Sequence, residues 1–372
     1  MKIVMFYHSL LSDWNHGNAH FLRGVATELI DRGNDVEIYE PNNSWSLSSL
    51  VKDYGEETVE EFYSYYPTLK TNQYDPHAID LDRILGDADL VIVHEWNDHL
   101  LVKAIGEKRK RYSFKLLFHD THHRAVTEQK SMSAYDLTNY DGVLAFGKVI
   151  RNLYMKRKWA KKAWTWHEAA DTRIFKPLAT DHEKGDLVWI GNWGDNERTK
   201  ELMEFLIKPV KELGLKAKIY GVRYPEEARK ALKDAGIEYG GWLPNFKAPE
   251  VFAQYRFTMH VPRRPYVEAL PGIPTIRPFE AMACGIPLLS APWEDAEHLF
   301  NPGKDFSFVK NKREAEEMIE RILTDDQMVQ ELTSNGLKTI HERHTCAHRV
   351  DELYDICEEL GVNNVKHQNL AS

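Results

Sequence analysis

Apolar runs long enough to span a bilayer are missing from this chain, since none approaches the roughly 20 residues that a membrane-crossing helix needs. A signal-peptide layout is missing too, because Met1 leads straight into a strand pattern. A cytosolic protein is the expectation, with peripheral contact at the inner membrane face as its one route to lipid. Cysteine is scarce: Cys284, Cys346 and Cys357 are odd in number and lack metal-ligand spacing, which argues against a disulfide framework and a zinc site. Basic charge is in deficit, with 48 Lys and Arg against 57 Asp and Glu and a net charge of -9. Nucleic acid is therefore not expected as the main partner.

What is present points to a two-domain enzyme. At 372 residues and 42% hydrophobic, the chain exceeds the size at which one hydrophobic core keeps growing. Ten tryptophans and seventeen tyrosines suggest stacking surfaces for sugar rings or bases beside ordinary core packing. Short β-rich runs at 2–7, 36–39, 90–94, 114–118 and 143–146 alternate with amphipathic stretches. The first helix carries Phe21, Leu22, Val25, Ala26, Leu29 and Ile30 on one face and stops at Arg32-Gly33-Asn34. The same grammar restarts near Asp186, with strands expected at 187–190, 217–220, 257–261 and 288–290. This is an α/β pattern of two Rossmann-like, doubly wound domains, whose ligands bind beyond the carboxyl ends of the strands. Residues 171–185 read as the linker. Residues 42–75 have no clean period but carry Trp45, Tyr54, Phe62, Tyr63, Tyr65, Tyr66 and Tyr74, forming either an excursion packed on the domain or a substrate-facing wall.

Chemistry-bearing residues collect at expected strand ends. The loop of Ser12, Asp13, Asn15, His16, Gly17 and Asn18 opens a helix near Ala19. Gly17 lets a backbone come close to a ligand there, and the helix N-terminus favours an anion or a hydroxyl. The spaced glycines of a dinucleotide fingerprint are absent. His119-Asp120-Thr121-His122-His123-Arg124 ends the fourth strand, and His94-Glu95 ends its neighbour; His and Asp exchange protons near neutral pH. In the second half, Gly191-Asn192-Trp193-Gly194, with Arg198 expected in the first turn of the next helix, fits a phosphate cradle. Within 260–285, Arg263, Arg264 and Arg277 suit a diphosphate and Glu280 a ribose diol; the bland alternative pairs these arginines with acids such as Glu268. Pro278 and Gly285 place Glu280 early in a short helix. Asp80-Leu81-Asp82 and Asp87-Ala88-Asp89 precede a strand and read as solvated turns, so neither a metal nor a cofactor is expected. Lys148, Arg151, Lys156, Arg157, Lys158, Lys161 and Lys162, beside Trp159 and Trp164, form either a solvated face or a dock for anionic membrane or acidic glycan.

The run Gly272-Ile273-Pro274-Thr275-Ile276-Arg277-Pro278-Phe279-Glu280-Ala281-Met282-Ala283-Cys284-Gly285-Ile286-Pro287 resembles retaining GT-B glycosyltransferases, and among them the spore-maturation glycosyltransferase group. Asn18-Ala19-His20-Phe21, Arg32-Gly33-Asn34-Asp35-Val36 and Asp171-Thr172-Arg173-Ile174-Phe175-Lys176-Pro177 extend the resemblance through the first half. It implies two domains facing a central cleft: residues 1–177 for the acceptor, 178–345 for the nucleotide sugar, and a terminal helix within 346–372 packed back on the first domain. It also implies that Glu280 holds the donor ribose, that Trp242 and Leu243 of Gly240-Gly241-Trp242-Leu243-Pro244 frame the nucleobase, and that Gly303-Lys304-Asp305-Phe306 is the turn after the donor site. Gly17, Asn192, Trp193, Arg198, Arg263, Thr275, Ile276 and Arg277 complete the expected donor set. His119 and Asp120 join Glu280 as catalytic candidates, and His16, His94, Glu95 and His122 face the acceptor. Two positions depart from the pattern: Gly272 stands eight residues before Glu280, where a second glutamate is common, and Asn192 stands where an arginine is usual. The expected reaction is metal-independent, retaining transfer from a nucleotide-diphosphate sugar to an acceptor hydroxyl. An epimerase or hydrolase on the same fold and a non-catalytic carbohydrate-binding scaffold are the rivals.

Overall fold

The computed structural model describes residues 1–362, so the end of the expected terminal segment, 363–372, lies outside the described residues. The chain divides into one unit of Met1–Glu168 plus the chain from Cys346 onward, and a second of Ala169–Thr345. The first unit thus gives way at Glu168, and residues 169–177 belong with the second.

The first unit holds a parallel sheet of β1 (Lys2–Phe6), β2 (Asp35–Pro41), β3 (Thr71–Tyr74), β4 (Leu90–His94), β5 (Lys115–Asp120), β6 (Gly142–Ala145) and β7 (Ala163–Thr165), in the order β3-β2-β1-β4-β5-β6-β7. Met5 of β1 pairs with Ile38 on one side and Ile92 on the other. The central strands are continuous apolar runs because helices cover both faces, and β4 is buried along its whole length. The helix α1 (Ala19–Asp31) buries Phe21, Leu22, Val25, Ala26 and Leu29. Gly33, at φ 78°, ends it by letting its own N–H bond Ile30 and that of Asn34 bond Leu29. The terminal helix Cys346–Glu359 closes on α1 within this unit: Arg32 meets Asp351, and Asn34 donates to the Tyr354 hydroxyl at 2.6 Å.

The second unit holds β8 (Gly185–Ile190), β9 (Ala217–Tyr220), β10 (Glu238–Tyr239), β11 (Tyr255–His260), β12 (Leu288–Ser290) and β13 (Ser307–Phe308), all parallel, in the order β10-β9-β8-β11-β12-β13. The expected strands are present in both halves. β3, β7, β10 and β13 were not anticipated, because two to four polar or half-buried residues at a sheet edge leave no apolar run to read. The stretch 42–75 folds as α2 (Trp45–Tyr54), α3 (Glu57–Tyr65) and β3. Phe62 and Tyr66 turn inward while Trp45, Tyr54 and Tyr63 stay exposed, so this segment is both packed and outward-facing.

Candidate functional site

In the second unit, the expected donor residues follow the carboxyl ends of strands in one sheet. The loop after β8 runs through Gly194, Asp195 and Asn196 with φ of 90°, 48° and 68°, a left-handed sequence that Gly, Asp and Asn tolerate best. Hydrogen bonds lace this loop to those after β9 and β10. Val222 N–H donates to Asn192 Oδ1 at 2.9 Å, the Tyr224 hydroxyl to the Gly191 carbonyl at 2.7 Å, and Gly221 N–H to the Gly241 carbonyl at 2.7 Å. A Cβ on Gly221 would lie 2.1 Å from the Gly191 carbonyl oxygen, so this closure requires glycine. Trp242 and Leu243 follow it half-buried. Trp193, expected to meet the donor, instead joins the core against Tyr224 at 5.5 Å, because an apolar face there has core to bury against.

The arginines are organised differently from expectation. Arg198 precedes the helix Thr199–Leu202 rather than sitting in its first turn. Its guanidinium turns back to the Val261 carbonyl (2.9 Å) and the Asn192 carbonyl, over the Trp189 ring at 5.0 Å. Burial, and then the charge of Arg263, pull its pKa down to about 9. Arg263 pairs with Glu197 and Arg264 with Glu201, each at 3.1 Å, in place of Glu268. Arg277 pairs with Glu280. Glu280 is wholly buried, in the middle of the helix Ile276–Ala283 rather than near its start, and accepts from Asn245 Nδ2 at 2.7 Å. Thr275, just ahead of Ile276, has φ 62° and ψ -177°, a conformation other residues leave almost wholly to glycine. Strain of that kind clusters at active sites and ligand clamps, and here it opens the helix that carries the buried Glu280. At Gly272 (φ 90°) a Cβ would lie 2.6 Å from Glu297 Cγ and 3.1 Å from its Oε1, so Glu297 already fills the space a side chain at 272 would take.

In the first unit, four imidazoles pack together at the carboxyl ends of β1, β4 and β5: His8 and His16 in the loop after β1, His94 closing β4 and His119 within the end of β5. His8 lies 4.1 Å from His16 and stacks at 5.5 Å on His94, which lies 5.5 Å from His119. His119 rests against Trp166 at 4.8 Å. Burial holds His8 and His119 down to about 3, and His16 and His94 well below their ordinary value. These rings are therefore neutral at physiological pH. His94 Nε2 meets Thr121 Oγ1 at 2.9 Å.

Beside them stand the buried carboxyls of Glu95 and Asp120, and the charge of Asp120 adds to the rise in the Glu95 pKa. Burial pushes both up. Thr121 N–H donates to Glu95 Oε1 at 2.9 Å, Arg124 lies 3.4 Å from Oε2, and the Tyr154 hydroxyl donates to Asp120 Oδ2 at 2.8 Å. His94, Glu95, His119 and Asp120 are wholly buried rather than at the surface, and β5 continues two residues past its expected end, taking His119 and Asp120 into the sheet. Exposed at the surface is Gly17, with His122 half-buried beside it in this set. Trp96, missed in the sequence, stands there too, with Arg124 over its ring at 4.3 Å and His122 at 5.3 Å. Asn245 was also missed; its pairing with Glu280 spans 35 residues and has no local signal.

The aspartates at 80–89 are structural. Asp80 caps the helix Leu81–Leu85, Asp82 binds Lys108 and Tyr112, and Asp87 pairs with Lys2. Among the described residues no group of three His, Cys, Asp or Glu is arranged to hold a metal ion, and no helix is long and apolar enough to cross a membrane.

A family profile described as glycosyl transferase-like matches residues 198–355. No curated protein matches the chain. Among solved structures, sucrose-phosphate synthase from Thermosynechococcus elongatus is similar at 14% identity and TM-score 0.64, covering 97% of this chain and 99% of that one. Anabaena HepE, solved in complex with UDP and glucose, is similar at 13% identity and TM-score 0.67, covering 96% and 99%. T4 phage BGT, solved with UDP and Mn2+, is similar at 14% identity and TM-score 0.61, covering 96% and 99%. With two parallel-sheet, Rossmann-like units matched over nearly their whole length, this chain has the GT-B fold.

Proposed function

We propose that this chain transfers a sugar from a nucleoside-diphosphate sugar, with UDP as the nucleotide to try first, to an acceptor hydroxyl. The observation that carries the reading is the buried Glu280, braced by Arg277 and Asn245 on a helix that starts at the strained Thr275. A fixed carboxylate is the group that grips a ribose diol, and Arg277 and Arg263 supply positive charge for the diphosphate as it departs. Arg198, turned inward, shapes the loop of Asn192. Charge on the leaving diphosphate is met by these arginines without a divalent ion, and the sugar is transferred with retention. Glu297, standing against Gly272, supplies the carboxylate that the resembling enzymes carry at that position. The acceptor binds the first unit at the surface around Gly17 and His122, over the neutral imidazoles that include His16.

Calorimetric titration with UDP tests the donor assignment. Glu280→Gln keeps the volume and removes the charge. Loss of one charge-assisted hydrogen bond, about 1.5–3 kcal/mol, predicts roughly 10- to 150-fold weaker binding. No UDP binding by the natural protein, or equal affinity in the variant, rejects the assignment. Glu297→Gln should lower turnover while UDP affinity holds. Rapid donor consumption without any acceptor would favour hydrolysis instead.

A further inference from the structure

Three tryptophans stand past the ends of three adjacent strands in the first unit: Trp45 after β2, Trp14 after β1 and Trp96 after β4. β2, β1 and β4 are neighbours in the sheet, so the three tryptophans follow one end of it in strand order. Trp45 is 57% and Trp96 43% exposed, whereas Trp166 and Trp189 are buried in cores. Trp14 meets Trp45 edge to face at 5.1 Å, and His8, 4.1 Å from His16, lies 6.1 Å from Trp96. The rim thus carries a touching Trp14–Trp45 pair and, at its other end, Trp96 beside the His8 ring.

The strip is held in place rather than draped. Ser12 Oγ bonds Ser46 at 2.9 Å, tying the Trp14 loop to the start of α2. Beneath it, the buried Arg23 binds the Leu10 and Leu11 carbonyls and Asp13, with the rings of Phe62 and Tyr66 at 4.8 and 5.6 Å. The indole N–H of Trp14 and Nδ1 of His8 have no hydrogen-bond partner among the described residues, though both atoms are buried. Nature rarely leaves such groups unmatched, and a ligand hydroxyl or its water matches them.

We infer that this tryptophan strip is an acceptor site for an uncharged saccharide of two or more rings. A pyranose offers an apolar C–H face to an indole and hydroxyls to polar side chains on the same loops, which here include Asn15, Asn42, Asn43 and Asp98. An alkyl chain would strip water from those amides and the carboxylate without replacing its hydrogen bonds. The lining adds no net positive charge to attract an acidic ligand: its imidazoles are neutral, and Arg124 is already paired with Glu95. The role as acceptor rests on the transfer reading above; the binding does not.

The test is an array of immobilised neutral and acidic oligosaccharides probed with labelled full-length protein, beside a titration with farnesyl phosphate. Natural protein should bind neutral oligosaccharides. Trp45→Ala should bind them roughly tenfold more weakly, the loss of one stacked ring, and Trp45→Phe should recover most of that. Both variants should keep the UDP-induced rise in melting temperature, which shows them folded. UDP binding with no saccharide bound, saccharide binding indifferent to Trp45→Ala, or farnesyl phosphate bound in place of sugars would each overturn the inference. Saccharide binding that depends on Trp45 in a protein that ignores UDP would support the site and reject the transfer reading instead.

Discussion

His119 offers the sharpest physical prediction. It is wholly buried between Trp166 and His94, with no hydrogen-bond partner on either ring nitrogen among the described residues. Burial lowers it to about 3, against about 6.5 in the unfolded chain. Between those values the unfolded state binds a proton that the folded state refuses, so stability falls as the pH drops from about 6.5 toward 3. The slope approaches about 1.4 kcal/mol per pH unit, which gives about 2 kcal/mol lost between pH 7 and pH 5 from this one ring. His119→Phe keeps an aromatic ring in the slot and removes the proton site. In urea unfolding followed by tryptophan fluorescence, the variant should lose about 2 kcal/mol less than the natural protein over that interval. His8, His16, His94, Glu95 and Asp120 titrate in both proteins and largely cancel in the difference. Identical pH dependence in the two would refute the claim that a neutral, unpaired imidazole lies at the end of β5.

Three further outcomes follow from particular contacts. Thr275→Gly removes a backbone conformation that costs on the order of 1–3 kcal/mol and adds chain freedom worth about 0.5–1 kcal/mol. It should therefore raise the urea midpoint while weakening UDP binding, and a lower midpoint would contradict the strain argument. Arg23→Met takes the donors from Asp13, Leu10 and Leu11 and should destabilise by about 3–5 kcal/mol, read by the same denaturation; a loss within about 1 kcal/mol would show that the loop stands without it. The cations around the helix Lys148–Arg157, with Met155 exposed among them, should carry the protein onto anionic vesicles at about 1 kcal/mol per cation. Equal co-sedimentation with anionic and neutral lipid would end that idea.

Much of the fold was legible because its signals are local. Buried parallel strands such as Leu90–His94 and Ala217–Tyr220 announce themselves by a few consecutive residues, and α1 by its 3.6-residue period and Gly33. The helix around Glu280 was legible from Pro278 and Gly285, although its true start at Ile276, behind a threonine in a glycine conformation, was not. Edge strands such as Glu238–Tyr239 are only two residues long, too short to show a period, although Tyr239 packs on the core.

The sequence by itself determined the α/β alternation, the restart near residue 186 and the identity of the residues that crowd strand ends, because backbone propensity and burial pattern are written in neighbours along the chain. Tertiary structure alone decided their roles. It paired Arg263 with Glu197 and Arg277 with Glu280, pressed Glu297 against Gly272, buried His119 and Asp120, and aligned Trp14, Trp45 and Trp96 along one end of the first sheet. Such contacts depend on which strands lie side by side, and strand order is set by packing between segments far apart in the chain, which no local pattern encodes.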